Sequence, residues 1–292
     1  MRKIEIAVLS DLHIGIYGCQ HTQILSYLKS IDPNILILNG DIIDIWNYNK
    51  YSFSKNHIKI VRYFLEMIDR GTTIYYITGN HDEALRKISG INLSNLHILD
   101  HLVIDVDGKK TWIFHGDVFD ATTKGWSKII AKLGGKGYDI LIFINKMIND
   151  GLQMIGREKI SLSKKIKNSI KSAVKWITNF ENTAIELAKD QEFDFVICGH
   201  IHQPKIKPIT HDKKLLVYMN SGDWVENCTG LEYNKGVWKL VQIKNSKLET
   251  LDEFHSSDGE DSFQNNILSR EYKFNRNTTK EREMVYYLSL KN

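Results

Sequence analysis

Short apolar runs that each end in polar residues recur along the first 120 residues of the chain. The runs IEIAVLS, NILILNGD, TIYYITGN and KTWIFHGD have the length of β-strands and are rich in β-branched and aromatic residues. Between the second and the third, HIKIVRYFLEMIDRG has helical spacing and ends at Gly71. Strands connected through helices pair in parallel, and functional residues then collect at the carboxyl ends of the strands. The pattern predicts an α/β fold with a site at those ends.

The pattern changes in the middle of the chain and then returns. Residues 120–178 are predicted to form a helical, basic insertion, whereas FDFVICGH, LLVYMNSGD and GVWKLVQI are predicted strands. Within the insertion five apolar residues share one helical face, and four lysines lie opposite: Leu162, Ile166, Ile170, Val174 and Ile177, against Lys164, Lys167, Lys171 and Lys175. We therefore predict one domain over residues 1–254 that contains this insertion, followed by a polar tail over 255–292.

The charge of the chain is unevenly distributed. The net charge is +4, but residues 124–175 contain twelve Lys or Arg and three Asp or Glu, a local charge of +9 that leaves −5 for the remainder. A basic amphipathic helix of this kind suits an anionic membrane surface, and it equally suits a solvated helix that packs on the domain. A nucleic-acid groove is a weaker interpretation, because no aromatic residues interleave with the basic ones.

Composition indicates a globular protein of a reducing compartment. The chain has 292 residues, 42% of them apolar, which is enough for a sizeable core. Its three cysteines lack CxxC spacing, so neither a disulfide framework nor a thiolate zinc site is predicted. We found no signal peptide and no apolar run of bilayer length, and we predict a cytoplasmic protein that binds the inner face of the cytoplasmic membrane at most peripherally.

Five of the predicted strands end in residues that bind metals. These ends read Asp11-Leu-His13, Gly-Asp41-Ile-Ile-Asp44, Gly-Asn80-His81-Asp82, His115-Gly-Asp117 and Gly-His200-Ile-His202. Carboxylate, imidazole and amide oxygen together suit Mn, Fe, Zn or Co better than Ca or Mg alone. Each motif is weak by itself, but five of them at strand ends predict a dinuclear metal site. The adjacent glycines allow close approach of the backbone.

In these motifs the sequence resembles the calcineurin-like metallophosphoesterase family, whose D-x-H, G-D-x-x-D, G-N-H-D/E, H and G-H-x-H pattern is matched from about Ile4 to Trp224 outside the insertion. The resemblance implies a four-layer α/β sandwich of two mixed β-sheets flanked by helices. It also implies three ligands to one metal ion and three to a second, with Asp41 bridging both: Asp11, His13 and His202, then Asn80, His115 and His200.

The chemistry implied is hydrolysis of a phosphoester by a hydroxide that two divalent ions, most readily Mn, hold between them. His81 would face the substrate, where an imidazolium stabilises the phosphoryl group or protonates the leaving oxygen. Asp82 would orient His81, and Asp44 would hold a ligand histidine. Both aspartates could equally be turn or cap residues.

Three stretches resemble one branch of that family, the UDP-2,3-diacylglucosamine pyrophosphohydrolases of lipid A synthesis, which release UMP and a diacylated sugar phosphate. They are GDIIDIW, the basic insertion, and CGHIHQP with YMNSGDWVENCT. In that branch a helical lid covers the acyl chains. The resemblance implies supporting or substrate-contacting roles for Asp44, Trp46, Asp223 and Trp224, although the two tryptophans suit plain packing as well.

Two other functions remain open from the sequence. The lipid branch carries Gly-Asn-Arg-Asp where this chain has Gly79-Asn80-His81-Asp82, and this difference favours a phosphodiesterase or phosphatase of a soluble substrate. The remaining alternative is a binding scaffold that has lost its metals, which the complete set of ligand types argues against. In each catalytic alternative the partner is an anionic phosphoester.

Overall fold

A computed structural model describes residues 1–44, 53–119, 163–211, 214–244 and 247–256, with only the backbone described over 163–172. Thirteen β-strands lie in the described residues. They are β1 (Arg2–Leu9), β2 (Ile31–Asn39), β3 (Thr73–Ile77), β4 (Asn92–Leu93), β5 (Leu96–Leu99), β6 (His101–Val106), β7 (Lys109–Phe114), β8 (Phe195–Cys198), β9 (Lys205–His211), β10 (Lys214–Asn220), β11 (Thr229–Asn234), β12 (Val237–Lys244) and β13 (Lys247–His255).

The described helices are α1 (His21–Ser30), α2 (Lys55–Asp69), α3 (Ser163–Asp190) and a 3-10 helix (Glu83–Ile88). α2 begins after Ser54, whose side chain and His57 form a capping box, and Gly71 follows its end with a φ of +98°. The sequence predicted α2 and the strands β8, β10 and β12, and these predictions are confirmed. None of the described helices has the length and the apolar character that a bilayer span requires.

The strands form two mixed sheets. The first has the order β13-β12-β11-β1-β2-β3-β5-β4, and the second has the order β6-β7-β8-β10-β9. In the first sheet β1, β2, β3 and β5 are parallel, and in the second β7, β8 and β10 are parallel. The α/β fold class with two mixed sheets and helices is therefore confirmed.

Both faces of the central strands are buried, which explains why they read as continuous apolar runs. On β1, Ala7 and Leu9 belong to a core cluster that includes residues of α1 and α2. Ile6 and Val8, on the opposite face, belong to a second cluster with residues of β8 and β10. The second cluster therefore lies between the two sheets.

The chain divides into two compact units, Phe119–Thr183 and the remainder, Met1–Val118 with Ala184–Asn292. The remainder contains both sheets. In the other unit the rings of Phe119 and Phe180 meet edge to face at 5.3 Å, and Val174 of the predicted apolar face is 57% exposed. Most of the predicted insertion and of the polar tail lies outside the described residues, so the proposed domain boundaries stay a prediction.

Candidate metal centre

The predicted ligand residues converge where parallel strands of both sheets end. The backbone N–H of Asp11 donates to the carbonyl of Gly40 at 3.0 Å, and the N–H of Gly199 donates to the carbonyl of His115 at 3.0 Å. The N–H of His200 also donates to an Asp11 carboxylate oxygen at 3.0 Å. Loops that lie far apart in sequence are therefore hydrogen-bonded directly to one another.

Three overlapping groups of side chains could each hold a cation, and the ligand atoms within each group lie within 4.8 Å of one another. The groups are Asp11, His13 and His202; His13, Asp41 and His81; and Asp41, His115 and His200. Six of the seven predicted ligands are in these groups. The seventh, Asn80, has a buried Oδ1 atom without a hydrogen-bond partner. Buried polar atoms are usually hydrogen-bonded, so this amide oxygen is suited to bind a metal ion.

The backbone at this centre is strained. Five predicted ligands have positive φ values, in the left-handed region that residues other than glycine seldom adopt: Asp11 (53°), His13 (48°), Asp41 (53°), His200 (68°) and His202 (51°). Each such residue costs on the order of 1–3 kcal/mol and persists only where the surroundings enforce it. The fold therefore holds these side chains together at a cost in stability, as functional sites do.

Glycines at the strand ends leave room for the clustered side chains. A Cβ atom on Gly40 would lie 2.3 Å from the His115 ring, and one on Gly79 would lie 2.2 Å from Asp41 Oδ1. A Cβ atom on Gly199 would lie 2.7 Å from Asp11 Oδ2. The close approach predicted from the sequence is thus present at these three glycines.

His115 presents Nε2 to the centre. Its Nδ1 lies 2.9 Å from the carbonyl oxygen of Asn39, which can only accept, so Nδ1 carries a hydrogen. Its Nε2 lies 3.2 Å from Asp41 Oδ2 without hydrogen-bond geometry. Burial lowers the pKa of His115, but the charges of Asp41 and Asp11 outweigh burial and raise this pKa well above its usual 6.5. The position therefore favours a cation, whether a proton or a metal ion, between Nε2 and Asp41.

The two central carboxylates are ionised. Burial raises the pKa of Asp11, but His202 and His115 outweigh burial and lower it to about 2. The pKa of Asp41 is lowered as well, because His115, His13 and His81 outweigh its burial. Two buried anions that share several imidazoles form a site for divalent cations.

His81 lies against Asp44. Its Nδ1 lies 2.9 Å from Asp44 Oδ2 without hydrogen-bond geometry, whereas His13 Nδ1 is hydrogen-bonded to the same oxygen at 3.3 Å. Asp44 is 1% exposed, whereas the His81 side chain is 29% exposed. This geometry matches the prediction that Asp44 holds a ligand histidine, here His13. Asp44 also contacts His81, the histidine predicted to face the substrate.

The side chain of Asp82 forms no hydrogen bond or ion pair with the His81 ring in the described structure, so its predicted role in orienting that histidine stays a prediction. It is fully buried, and its carboxylate accepts hydrogen bonds from Gly79 N (2.6 Å), Ile42 N (3.0 Å) and Tyr76 Oη (2.6 Å). The turn after β3 needs this carboxylate to satisfy two backbone N–H groups. These hydrogen bonds match the alternative interpretation, in which Asp82 is a turn residue.

The remaining predicted residues have different surroundings. Asp223 accepts hydrogen bonds from the backbone N–H groups of Val225 and Glu226, and its Oδ2 lies 4.0 Å from His202 Nδ1. Trp224 is 1% exposed within the first core cluster, which matches the packing interpretation, and its backbone N–H donates to the carbonyl of Asp11 at 3.0 Å. Trp46 lies outside the described residues.

Sequence reasoning missed two buried asparagines that support the loops. Asn39 donates from Nδ2 to the carbonyl of Phe114, and its own carbonyl accepts from His115. Asn220 donates from Nδ2 to the carbonyl of Gly199, directly before His200. Both end an apolar strand just before a glycine-containing turn, and an amide at such a position was the signal available.

Comparisons with known proteins found a family model, curated relatives and solved structures that are similar to this chain. The family model described as calcineurin-like phosphoesterase matches residues 4–204. The chain is 28% identical to a UDP-2,3-diacylglucosamine hydrolase of Wigglesworthia glossinidia brevipalpis, covering 82% of this chain and 94% of that protein. It is 25% identical to one of Aliivibrio fischeri, covering 81% and 98%. Among solved structures, a phosphoesterase from E. coli aligns with 86% of this chain and 98% of its own, at 12% identity and a TM-score of 0.44.

Proposed function

This chain belongs to the calcineurin-like phosphoesterase family, and we propose that it uses two divalent metal ions to hydrolyse the pyrophosphate bond of UDP-2,3-diacylglucosamine. We propose a metal-dependent reaction because the three groups of candidate ligands share residues. Asp41 belongs to one group with His13 and to another with His115 and His200. A carboxylate in that position suits a bridge between two ions.

The residues present fit such ions. Asp11, His13 and His202 would hold one ion, and Asn80, His115 and His200 would hold the other. The unpartnered Asn80 Oδ1 and the His115 Nε2 atom that faces Asp41 support this assignment. The mixture of carboxylate, imidazole and amide suits Mn first, with Fe, Zn or Co as alternatives. When bound, two such ions supply a hydroxide nucleophile at neutral pH and polarise the phosphoryl oxygens.

His81 holds a proton for the leaving group. Burial lowers the pKa of His81, but the contact with Asp44 and the charge of Asp41 outweigh it, so this pKa is raised above its usual 6.5. Its Nδ1 lies 2.9 Å from Asp44 Oδ2 without hydrogen-bond geometry, so Nε2, which lies 4.0 Å from Asp41 Oδ2, is the ring nitrogen that would face the substrate. An imidazolium there would stabilise a developing oxyanion and then protonate it.

The lipid substrate is proposed from the relatives. Those reported above carry the name UDP-2,3-diacylglucosamine hydrolase, and this chain spans 94% and 98% of their lengths. The +9 charge of residues 124–175 would hold the chain at an anionic membrane surface, where such a lipid resides. The products would be UMP and a diacylated sugar phosphate, within lipid A synthesis at the cytoplasmic face of the membrane.

The test is incubation of the Mn-loaded protein with UDP-2,3-diacylglucosamine and chromatographic detection of UMP. We expect UMP from the wild type and none from Asp41→Asn, which keeps the size of the side chain and removes the shared charge. Release of no UMP by a protein that binds Mn would exclude this substrate. Hydrolysis of bis(4-nitrophenyl) phosphate by that same protein would then favour the soluble phosphodiester that His81 suggests.

A further inference from the structure

Arg86 connects strand ends of both sheets beside the metal centre. It lies in the 3-10 helix Glu83–Ile88, and its Nη2 donates to Asp117 Oδ2 at 2.6 Å. Its Nε donates to Thr78 Oγ1 at 3.3 Å, and that hydroxyl donates to Asp100 Oδ1 at 3.0 Å. One guanidinium thus organises three polar side chains.

These partners come from different parts of the fold. Thr78 follows β3 of the first sheet and directly precedes Gly79 and Asn80, whereas Asp117 follows β7 of the second sheet, two residues after His115. Asp100 lies at the junction where the chain passes from the first sheet to the second. Arg86 therefore links the loop that carries Asn80 to the loop that carries His115.

We propose that Arg86 is a positioning residue, which fixes the spacing of Asn80 and His115 by holding Asp117 and Thr78 at once. The expected effect of Arg86 on kcat rests on the proposed metal-dependent function. The expected effect on metal affinity depends only on the positions of the two loops. No role in contacting substrate is needed.

Burial makes this ion pair effective. The side chain of Asp117 is 10% exposed and that of Arg86 is 31% exposed, so water screens the pair only partly. The chain offers a contrast on α2, where Arg62 and Glu66 pair at 3.6 Å with side chains 73% and 48% exposed. A surface pair of that kind adds little to stability.

Arginine is needed here because its planar fork reaches two partners in different directions. A lysine carries one ammonium group and could reach Asp117 or Thr78, but it would not fix both. Arg86→Lys should therefore retain part of the contribution of Arg86 to Mn affinity and kcat, and Arg86→Met should retain none of it.

The experiment compares the wild type with R86M, R86K, D117N and the double variant R86M/D117N. Calorimetric titration of the metal-free proteins gives the dissociation constant for Mn, and hydrolysis of bis(4-nitrophenyl) phosphate gives kcat and KM separately. Substitution of a residue that orients metal ligands weakens metal binding by about 10–100-fold. We expect R86M and D117N each to weaken Mn binding within that range and to lower kcat with little change in KM. R86K should lie between R86M and the wild type.

The double variant separates positioning from other roles. Because D117N removes one of the two contacts that R86M removes, the double variant should lose no more Mn affinity than R86M alone, and R62M, the matched control, should bind Mn and turn over like the wild type. Multiplicative losses in the double variant would overturn the proposal, as would R86M with unchanged Mn affinity. A rise in KM alone would make Arg86 a substrate-binding residue instead.

The proposal can still be tested if R86M does not fold or if the wild type is inactive. If circular dichroism shows that R86M is unfolded, R86K and D117N carry the comparison, and wild-type Mn affinity in both would overturn the proposal. If the wild type binds Mn but hydrolyses no phosphoester, the proposed function fails, while the Mn affinities of the variants still decide the role of Arg86.

Discussion

Single residues decide how closely the metal-binding side chains approach one another, and of Gly40, Gly79 and Gly199 the least space is at Gly79. A Cβ atom there would lie 2.2 Å from Asp41 Oδ1 and 2.6 Å from the Asp41 backbone nitrogen, so the backbone itself would have to move. We expect Gly79→Ala to destabilise the fold by about 1–3 kcal/mol, the usual cost of overpacking, and to abolish tight Mn binding. Thermal unfolding and Mn titration measure the two effects.

The control for Gly79→Ala is Gly18→Ala, where the added Cβ would be in ordinary contact with an Ile16 methyl group at 3.8 Å and in close contact with a Val225 methyl group at 3.1 Å. That side chain can shift, so Mn affinity should stay at the wild-type value. Equal Mn affinity in both variants would show that the contact at Gly79 does not shape the site.

His81 should matter for turnover and not for metal binding. If it protonates the leaving oxygen, His81→Ala should lower kcat by about 10²–10⁴-fold while the Mn content stays unchanged. His255→Ala is the matched control, because that histidine is 68% exposed on β13. Loss of Mn from His81→Ala would instead place His81 among the ligands, as its group with His13 and Asp41 allows.

Metal binding should release protons at neutral pH. Burial lowers the pKa of His202, but the charge and hydrogen bond of Asp11 outweigh it and raise this pKa to about 9. His202 is therefore protonated in the metal-free protein at pH 7, and it must lose that proton to bind a metal. We expect release of at least about one proton, and Mn affinity that rises with pH until about pH 9.

Calorimetric titrations at pH 7 in buffers of different ionisation enthalpy measure this proton release. A binding enthalpy that is independent of the buffer would contradict the assignment of His202 as a ligand.

At the scale of elements, the turn between β3 and the 3-10 helix depends on the buried carboxylate of Asp82. Asp82→Ala would leave the N–H groups of Gly79 and Ile42 and the hydroxyl of Tyr76 without their acceptor. Since each unsatisfied buried group costs about 1–3 kcal/mol, we expect a loss of about 3 kcal/mol or more in the free energy of unfolding. Chemical denaturation measures it, with Tyr76→Phe as the milder comparison.

A different result would restore the role predicted from the sequence. If Asp82→Ala unfolded like the wild type but lost kcat as His81→Ala does, Asp82 would act on His81 in the catalytic state.

The sequence predicted the elements whose signal is local. β1, β2, β3, β7 and β8 are buried on both faces, so they read as apolar runs, and their ends carry motifs of ligand types that can be recognised without a structure. β4, β5, β6, β9, β11 and β13 were not predicted; the exposed edge strand β13, for example, shows no apolar run. Which carboxylate contacts His81 could not be predicted either. Asp44 is distant in sequence and Asp82 is adjacent, and only the fold brings Asp44 to the ring.

At the scale of the whole molecule, charge and chemistry lie in different parts of the chain. The basic stretch 124–175 falls within the unit Phe119–Thr183, whereas every predicted metal ligand lies in the remainder. In the described residues, the loops that carry the ligands are hydrogen-bonded directly to one another, as between Asp11 and Gly40 and between Gly199 and His115. Under the proposed function, the remainder would carry out hydrolysis and the basic unit would recruit the lipid substrate.

Replacing residues 120–178 with a short Gly-Ser linker tests this division. Hydrolysis of bis(4-nitrophenyl) phosphate should persist, because that reaction needs only the metal centre. Release of UMP from UDP-2,3-diacylglucosamine in phosphatidylglycerol vesicles should fall by at least about tenfold, since each basic residue near an anionic surface contributes about 1 kcal/mol. A full-length variant with Lys164, Lys167, Lys171 and Lys175 changed to Gln isolates the charge: it should lose activity in these vesicles and keep it in neutral detergent. Equal UMP release by all three proteins in the vesicles would mean that the insertion has no part in recruiting the substrate.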